Sequence, residues 1–232
     1  MILENTYFLL LNLCQLIVVF LLFKWNRESF KVQLHYQAKP ILLTFFIVLF
    51  LDIIFTQNNL WEYNSQFSIG IFLLGVPIEK IVQILAVLTS TLLTFMWIKK
   101  HINFRFKTGL IRVLFVLLLA LYLPMSYIHW YDWHTLLASI IFNVSLIYLF
   151  VFTPKWTSTF LFTFWTIGIP YTFLQLIVSG YFFDTVIFKY NSLETQGFFV
   201  VGFPLEELMY LFGVLLFGVF LLEKLNPDLL SK

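Results

Sequence analysis

The sequence predicts an all-α polytopic membrane protein with about seven transmembrane helices. Two observations carry this. Of the 232 residues, 61% are hydrophobic and 11% are charged, against about 45–50% and about 25% in a soluble domain. The apolar residues also gather into segments near the roughly 20 residues that a helix needs to cross a bilayer. This composition excludes a soluble enzyme with an ordinary core, and it excludes a disordered chain, which needs low hydrophobicity and high charge. A net charge of +2 is too small to indicate nucleic acid as a partner. The single cysteine, Cys14, excludes an internal disulfide and a cysteine-based zinc cluster.

Seven segments qualify in order: 7–23, 41–55, 69–98, 110–127, 134–152, 156–183 and 197–222. The first has a flank with Glu4, no Lys or Arg and no small-residue cleavage site after it, so it reads as a span and not as a signal peptide. The second is short. The third, sixth and seventh are long enough to tilt, kink or begin in the interface. With the N-terminus outside, twelve of the 14 Lys and Arg fall on the cytoplasmic side, among them Lys24, Arg27, Lys31 and Lys39 in the first loop. Only Lys189 falls outside, and Lys80 lies within the third segment. The positive-inside rule then gives N-out, C-in. Trp61, Tyr63, Trp130, Tyr131, Trp133 and Tyr190 fall in outer loops, where aromatic residues commonly anchor at the lipid–water boundary.

The chain contains an internal repeat. Residues 61–79 match residues 188–206 at a constant offset of 127, with Tyr63/Tyr190, Asn64/Asn191, Ser65/Ser192, Gly70/Gly197, Phe72/Phe199, Gly75/Gly202, Pro77/Pro204 and Glu79/Glu206 identical. Shared hydrophobicity does not explain identities of Gly, Pro and Glu. The expected organisation is a first three-helix repeat at 1–98, a linker with the fourth helix at 99–133, and a second three-helix repeat at 134–232. An odd linker helix gives both repeats the same orientation, about an axis along the membrane normal. Many secondary transporters use inverted repeats instead.

Carboxyl groups within the hydrophobic segments are the main functional signal. Glu79, Glu206 and Glu207 sit about seven to ten residues in from the outer side, roughly 10–15 Å deep at 1.5 Å per residue if the helix is regular. An acid at such depth is costly and is a functional hypothesis by default. Pro77 and Pro204 precede the acids by two residues, so either the helices start there or they kink there. Gln83 lies four residues after Glu79 and Tyr210 four after Glu206, each on the face of its acid and within reach to hold it. Asp52 and Asp184 lie near the outer ends of the second and sixth segments and are not equivalent under the offset, which matches Asp52 to Ser179. Lys80 is expected to pair with an acid or to snorkel.

Other signals are weaker. His129, Asp132 and His134 crowd one outer loop, and loop histidines are usually solvated, so no metal is assigned. Asn143-Val-Ser145 fits a glycosylation pattern but lies in a hydrophobic segment. No G-x-G-x-x-G is present, so no nucleotide cofactor is assigned. The last helix has no central lysine for a retinal Schiff base.

Asp52-Ile-Ile-Phe-Thr-Gln57, Leu60-Trp-Glu-Tyr-Asn64 and Gly75-Val-Pro-Ile-Glu79 resemble the first repeat of the membrane-integral lycopene cyclase domain family. Tyr190-Asn191, then Gly202-Phe-Pro-Leu-Glu-Glu207 and Tyr210, resemble the second. The likeness spans most of the chain and fits the single-chain form with two fused repeats. It departs at Lys80, where the family usually has a second acid, which points to an altered first repeat, action at one end only, or another polyene.

The resemblance implies an intramolecular lyase (an isomerase) that converts linear ends of a C40 carotenoid to rings without redox change, acting in a membrane, by expectation a prokaryotic cell membrane. Ring closure needs a proton added to the terminal double bond, closure through a carbocation and a proton removed. A carboxyl group taken out of water disfavours its charged form and can serve as general acid, and aromatic faces can stabilise the cation. The catalytic candidates are Glu206 as principal acid, Glu207 with Tyr210 tuning or shuttling its proton, Glu79 as its equivalent or the base partner, and Asp52 and Asp184 as secondary candidates. The candidate substrate-binding residues are Tyr63, Asn64, Tyr190, Asn191, Tyr210, Gln83 and Phe203. The partners implied are the carotenoid, entering laterally from the bilayer, and membrane lipid, with a second copy or other carotenoid enzymes as protein partners. The alternatives are hydration of a carotenoid end on the same scaffold, a carrier or binding protein, and a non-catalytic subunit.

Overall fold

The structure is a computed structural model that describes residues 8–13, 17, 21, 27–102, 105–181, 186–191, 199–200 and 203–227. The first segment is helical at residues 8–13, 17 and 21 (α1). Six long helices follow: Arg27–Gln57 (α2), Ile78–His101 (α3), Thr108–Ile128 (α4), Trp133–Phe152 (α5), Thr157–Val178 (α6) and Leu205–Leu225 (α7). Among the described residues, these are the helices long and apolar enough to cross a membrane, α2 over Leu34–Gln57. The chain is therefore an all-α integral membrane protein.

Two expectations about the elements are corrected. The second span is not short: α2 runs for 31 residues with Pro40 inside it. Lys31 and Lys39, expected in a loop, lie on this helix, and Gln37 ties its lower half to α3 by donating to the Leu92 carbonyl at 3.2 Å. The third and seventh helices also do not run back to residues 69 and 197. Of the two alternatives that the prolines allow, helix start is the one observed. Pro77 (φ −69°) and Pro204 (φ −67°) are the N-cap residues of α3 and α7, where the absent proline N–H would be unpaired anyway. A depth calculated from a regular helix back to residue 69 therefore does not apply.

In place of those first turns the chain forms small hairpins. Phe72–Leu73 (β2) pairs with Val76–Pro77 (β3) in the register Phe72↔Pro77 and Leu73↔Val76. Phe199–Val200 (β5) pairs with Phe203–Pro204 (β6) as Phe199↔Pro204 and Val200↔Phe203, the same register 127 residues on. The turn of the first hairpin places Leu74 at φ 50° and Gly75 at φ 89°, the double positive φ of a two-residue hairpin turn. A Cβ on Gly75 would lie 3.0 Å from the Thr56 side chain, so glycine also lets this turn dock on the end of α2, where Gln57 donates to the Leu74 carbonyl at 2.8 Å.

The outer strands Trp61–Tyr63 (β1) and Phe188–Tyr190 (β4) pair antiparallel, with Glu62 opposite Lys189. Those two residues are themselves 127 apart, so two equivalent strands pair about their common midpoint. The flanking bonds repeat the relation: Asn64 N–H donates to the Ile187 carbonyl at 2.8 Å, and Asn191 N–H to the Leu60 carbonyl at 2.9 Å.

Beneath this cap α3 and α7 pack on each other at the centre. α3 also touches α2 and α6, and α7 touches α2, α5 and α6. Phe95, Leu88 and Leu92 from α3 and Phe212, Leu215 and Val219 from α7 anchor the main apolar core. α4 is peripheral, packs on α5 and buries only Ile111, Phe115 and Tyr122.

Candidate functional site

The capped helix starts put three acids in first turns, Glu79 on α3 and Glu206 and Glu207 on α7. Neighbouring residues on a helix point about 100° apart, so adjacent positions face different partners. A cavity of about 40 Å³ lies between the central helices. Lys80, Gln83, Ile84 and Val87 of α3 line it, as do Glu207, Tyr210, Leu211 and Val214 of α7. These are four equivalent pairs at the offset of 127. Leu88 of α3, Asp52 and Val48 of α2, Tyr171 of α6 and Trp61 of β1 complete the wall. The site is thus made jointly by both halves of the chain, with side chains that break their equivalence: Lys80 opposes Glu207, and Asp52 and Tyr171 take the places of Ser179 and Thr44.

The structure brings Asp52, Glu207, Gln83 and Tyr210 together. It does not bring Glu79 or Glu206 to that cavity. Glu79 Oε1 accepts from the Ile69 N–H at 2.5 Å, and its backbone carbonyl accepts from Asn12 Nδ2 of α1 at 2.9 Å. Glu206 Oε1 accepts from Thr135 Oγ1 of α5 at 2.8 Å. Both are fully buried, and both tie a helix start to its neighbour. Gln83 and Tyr210 do not hold these acids. The Gln83 amide nitrogen, the Tyr210 hydroxyl and Asp52 Oδ2 are buried without a hydrogen-bond partner among the described residues. Each such group costs about 1–3 kcal/mol.

Glu207 has partners from two further helices. Tyr171 OH donates to Oε2 at 3.5 Å, and His134 Nε2 of α5 lies 3.6 Å from Oε1. His134 is 2% exposed, so the expectation of a solvated loop histidine is corrected: Asp132 is the N-cap of α5, and His134 enters its first turn facing inward. His129 and Asp132 pair with each other at 2.7 Å between α4 and α5, and no group of three metal-ligating residues forms among the described residues.

Aromatic rings cluster at the end of the cavity beside β1. The Phe55 ring lies edge-on to Trp61 at 4.9 Å and to Tyr210 at 6.1 Å. Trp61 lies 5.7 Å from His134 and 5.5 Å from Phe188. Trp61 is 2% exposed, whereas Trp130, Tyr131 and Trp133 are more than half exposed. Trp61 is therefore no interfacial anchor; its Nε1 donates to Thr56 Oγ1 at 3.0 Å. Lys80 neither snorkels nor reaches the surface. It is 8% exposed, with its ammonium 5.9 Å from the Trp61 ring centre and 5.6 Å from that of Phe188.

The remaining candidates sit elsewhere. Asn64 caps the short turn Ser65–Phe67 by accepting from Gln66 N–H at 3.0 Å and donates to the Val186 carbonyl at 3.2 Å. Asn191 donates to the Asn59 carbonyl at 3.2 Å. Both fasten the β1–β4 cap rather than the cavity. Tyr63 packs on Phe188 at 5.2 Å. Burial pushes its phenol well above the ordinary value of 10, and the charges of Asp52 and Glu207 push the same way, so it stays neutral. Asp184 lies outside the described residues, as do the side chains of Tyr190 and Phe203.

No curated protein and no solved structure matches the chain. A family model described as lycopene cyclase matches it in two segments, residues 5–98 and 131–225. The two segments cover most of the sequence, one on either side of α4, and with two fused copies of that unit the chain belongs to the lycopene cyclase family.

Proposed function

We propose that this chain closes the linear ends of a C40 carotenoid into rings by proton-initiated, redox-neutral cyclisation. The observation that carries the reading is that Glu207 and Asp52, two buried acids from opposite halves of the chain, line one cavity flanked by aromatic rings. Glu207, steadied by Tyr171 and next to His134, donates the proton to the terminal double bond. The resulting carbocation lies under Trp61 and Tyr210, whose faces attract it. Asp52 accepts the proton lost on ring closure. Glu206 and Glu79 hold the first turns of α7 and α3 through Thr135 and Ile69. This arrangement favours Glu207 over its neighbour as the donor.

The shared register of the hairpins and the central β1–β4 pairing support two like-oriented repeats, 1–98 and 134–232, joined by 99–133 and related by an axis along the membrane normal. We place the N-terminus outside and the C-terminus in the cytoplasm, on the charge bias. The cavity of about 40 Å³ is well below the 150 Å³ that admits benzene. Entry of a polyene end from the bilayer therefore requires the walls to part.

The test is carotenoid extraction from lycopene-making cells with and without the protein. A product of unchanged mass, absorbing at shorter wavelength and with a new retention time, is expected. Unchanged lycopene, with the protein verified in the membrane, would contradict the reading.

A further inference from the structure

A fixed cation is unexpected beside a carbon that becomes a carbocation, because like charges repel. Lys80 is nevertheless 8% exposed and lines the cavity with Asp52 and Glu207. Its ammonium rests 5.9 Å from the Trp61 ring centre and 5.6 Å from that of Phe188, where ring faces hold a cation. The other titratable groups around it come from every neighbouring element. α2 supplies Asp52, α7 supplies Glu207 and Tyr210, and α6 supplies Tyr171. Tyr63 of β1 feels the charges of Asp52 and Glu207, and His134 of α5 lies 3.6 Å from Glu207 Oε1. Glu79 and Glu206 turn away to Ile69 and Thr135, and Glu62 and Lys189 are exposed on the cap. Phenols are neutral below about pH 10. With His134 as neutral imidazole, one cation and two acids remain on the wall. The charges that act on Asp52 are those of Lys80 and Glu207.

An uncompensated charge is costly out of water. A wall of one cation and two acids is neutral when one carboxyl is ionised and the other protonated. We propose that Lys80 is a positioning residue for ring closure: its charge holds Asp52 as the carboxylate while Glu207 keeps its proton, so that the site contains one base and one acid. This rests on the reading of Glu207 as donor and Asp52 as acceptor. Glu207 can point its proton toward His134 Nε2, an acceptor when the imidazole is neutral with Nδ1 protonated. The charge then balances at each step. The terminal double bond's π electrons take the proton from Glu207, and Lys80 and the carbocation face two carboxylates. The π electrons of a second double bond form the ring C–C bond. Asp52 takes a proton from the carbon next to the new cation, and the C–H electron pair becomes the ring double bond. Lys80 now faces ionised Glu207 and protonated Asp52, and passage of the proton from Asp52 to Glu207 resets the site. Nothing is oxidised or reduced. With an uncharged residue at position 80 the wall is neutral only when both carboxyls are protonated, and Asp52 cannot accept.

The test measures initial rates of ring formation against pH in membranes that contain the full chain, are supplied with lycopene and are made permeable to protons. The wild-type rate is expected to rise with pH as Asp52 ionises. Lys80→Met and Lys80→Gln, at matched protein levels in the membrane, are expected to move that rise to higher pH by about one to three units, the effect of an adjacent opposite charge on a carboxyl. The sign follows from removing the charge that favours the carboxylate. Lys80→Arg keeps the charge and is expected to keep the wild-type position of the rise, whatever its rate. Rates lowered equally at every pH, with the rise unmoved in both uncharged variants, would overturn the proposal and leave cyclisation standing. A rise displaced as far in Lys80→Arg as in Lys80→Met would also overturn it, since shape and not charge would then be decisive. Wild type that gives no ring product at any pH would overturn the cyclisation reading and the proposal together.

Discussion

Lys80 and Glu207 occupy equivalent positions on α3 and α7 and border one cavity. The sequence makes both legible as intramembrane charges. Which of two adjacent glutamates faces the cavity is a matter of about 100° around a helix, and the helix start that sets the phase comes from the hairpins at 72–77 and 199–204. Sequence position alone puts His134 and Trp61 in outer loops at the boundary. An N-cap at Asp132 turns the one inward, and pairing of β1 with β4 folds the other under the cap. A signal for Trp61 did exist in its aromatic match, Phe188, at the offset of 127. Trp61→Leu should lower turnover several-fold, in line with the ~1–2 kcal/mol of a desolvated cation–π contact, while Trp61→Phe should retain more. Initial rates at matched protein levels decide it, and equal rates for the two would contradict a role for the ring face. His134→Phe should lower turnover by about a hundredfold if the imidazole helps Glu207 handle its proton, and His134→Gln should lose less. Indistinguishable rates for His134→Phe and wild type would remove His134 from the site.

At the scale of elements, the long apolar helices were legible because hydrophobic length is set by local composition. The hairpins were not, since Phe72, Leu73 and Val76 are as apolar as the helices they precede. α5 and α7 lie very close at Gly213, where a Cβ would fall 2.1 Å from Ile141 Cγ2 and 3.2 Å from Ser145 Oγ. The equivalent position in α3 is the small, buried Ala86. Gly213→Val should therefore push these helices apart, disturb Thr135–Glu206 and His134–Glu207 together, and cost about 1–3 kcal/mol as an overpacked site. Its melting temperature in detergent measures this, and an unchanged value would show that the helices separate without strain.

For the whole molecule, the repeat at offset 127 was the strongest inference available from residues alone, and the structure gives it physical form in the pairing of Glu62 with Lys189. With Cys14 replaced by serine, cysteines at 62 and 189 should crosslink across the strands, because directly opposed residues in an antiparallel pair bring Cα atoms to about 4.5–5.5 Å. Mass spectrometry of the oxidised protein checks it, and free thiols at both positions would contradict the paired cap. The two halves lie on either side of one cavity, with Glu207 and Asp52 on its wall, and we propose that both act on a single carbon. The most direct test is Glu207→Gln beside Glu206→Gln in lycopene-making cells, with both proteins verified in the membrane. The account predicts that Glu207→Gln yields no ring product, while Glu206→Gln retains activity in proportion to the protein that folds. Ring formation by Glu207→Gln at the wild-type rate would contradict it.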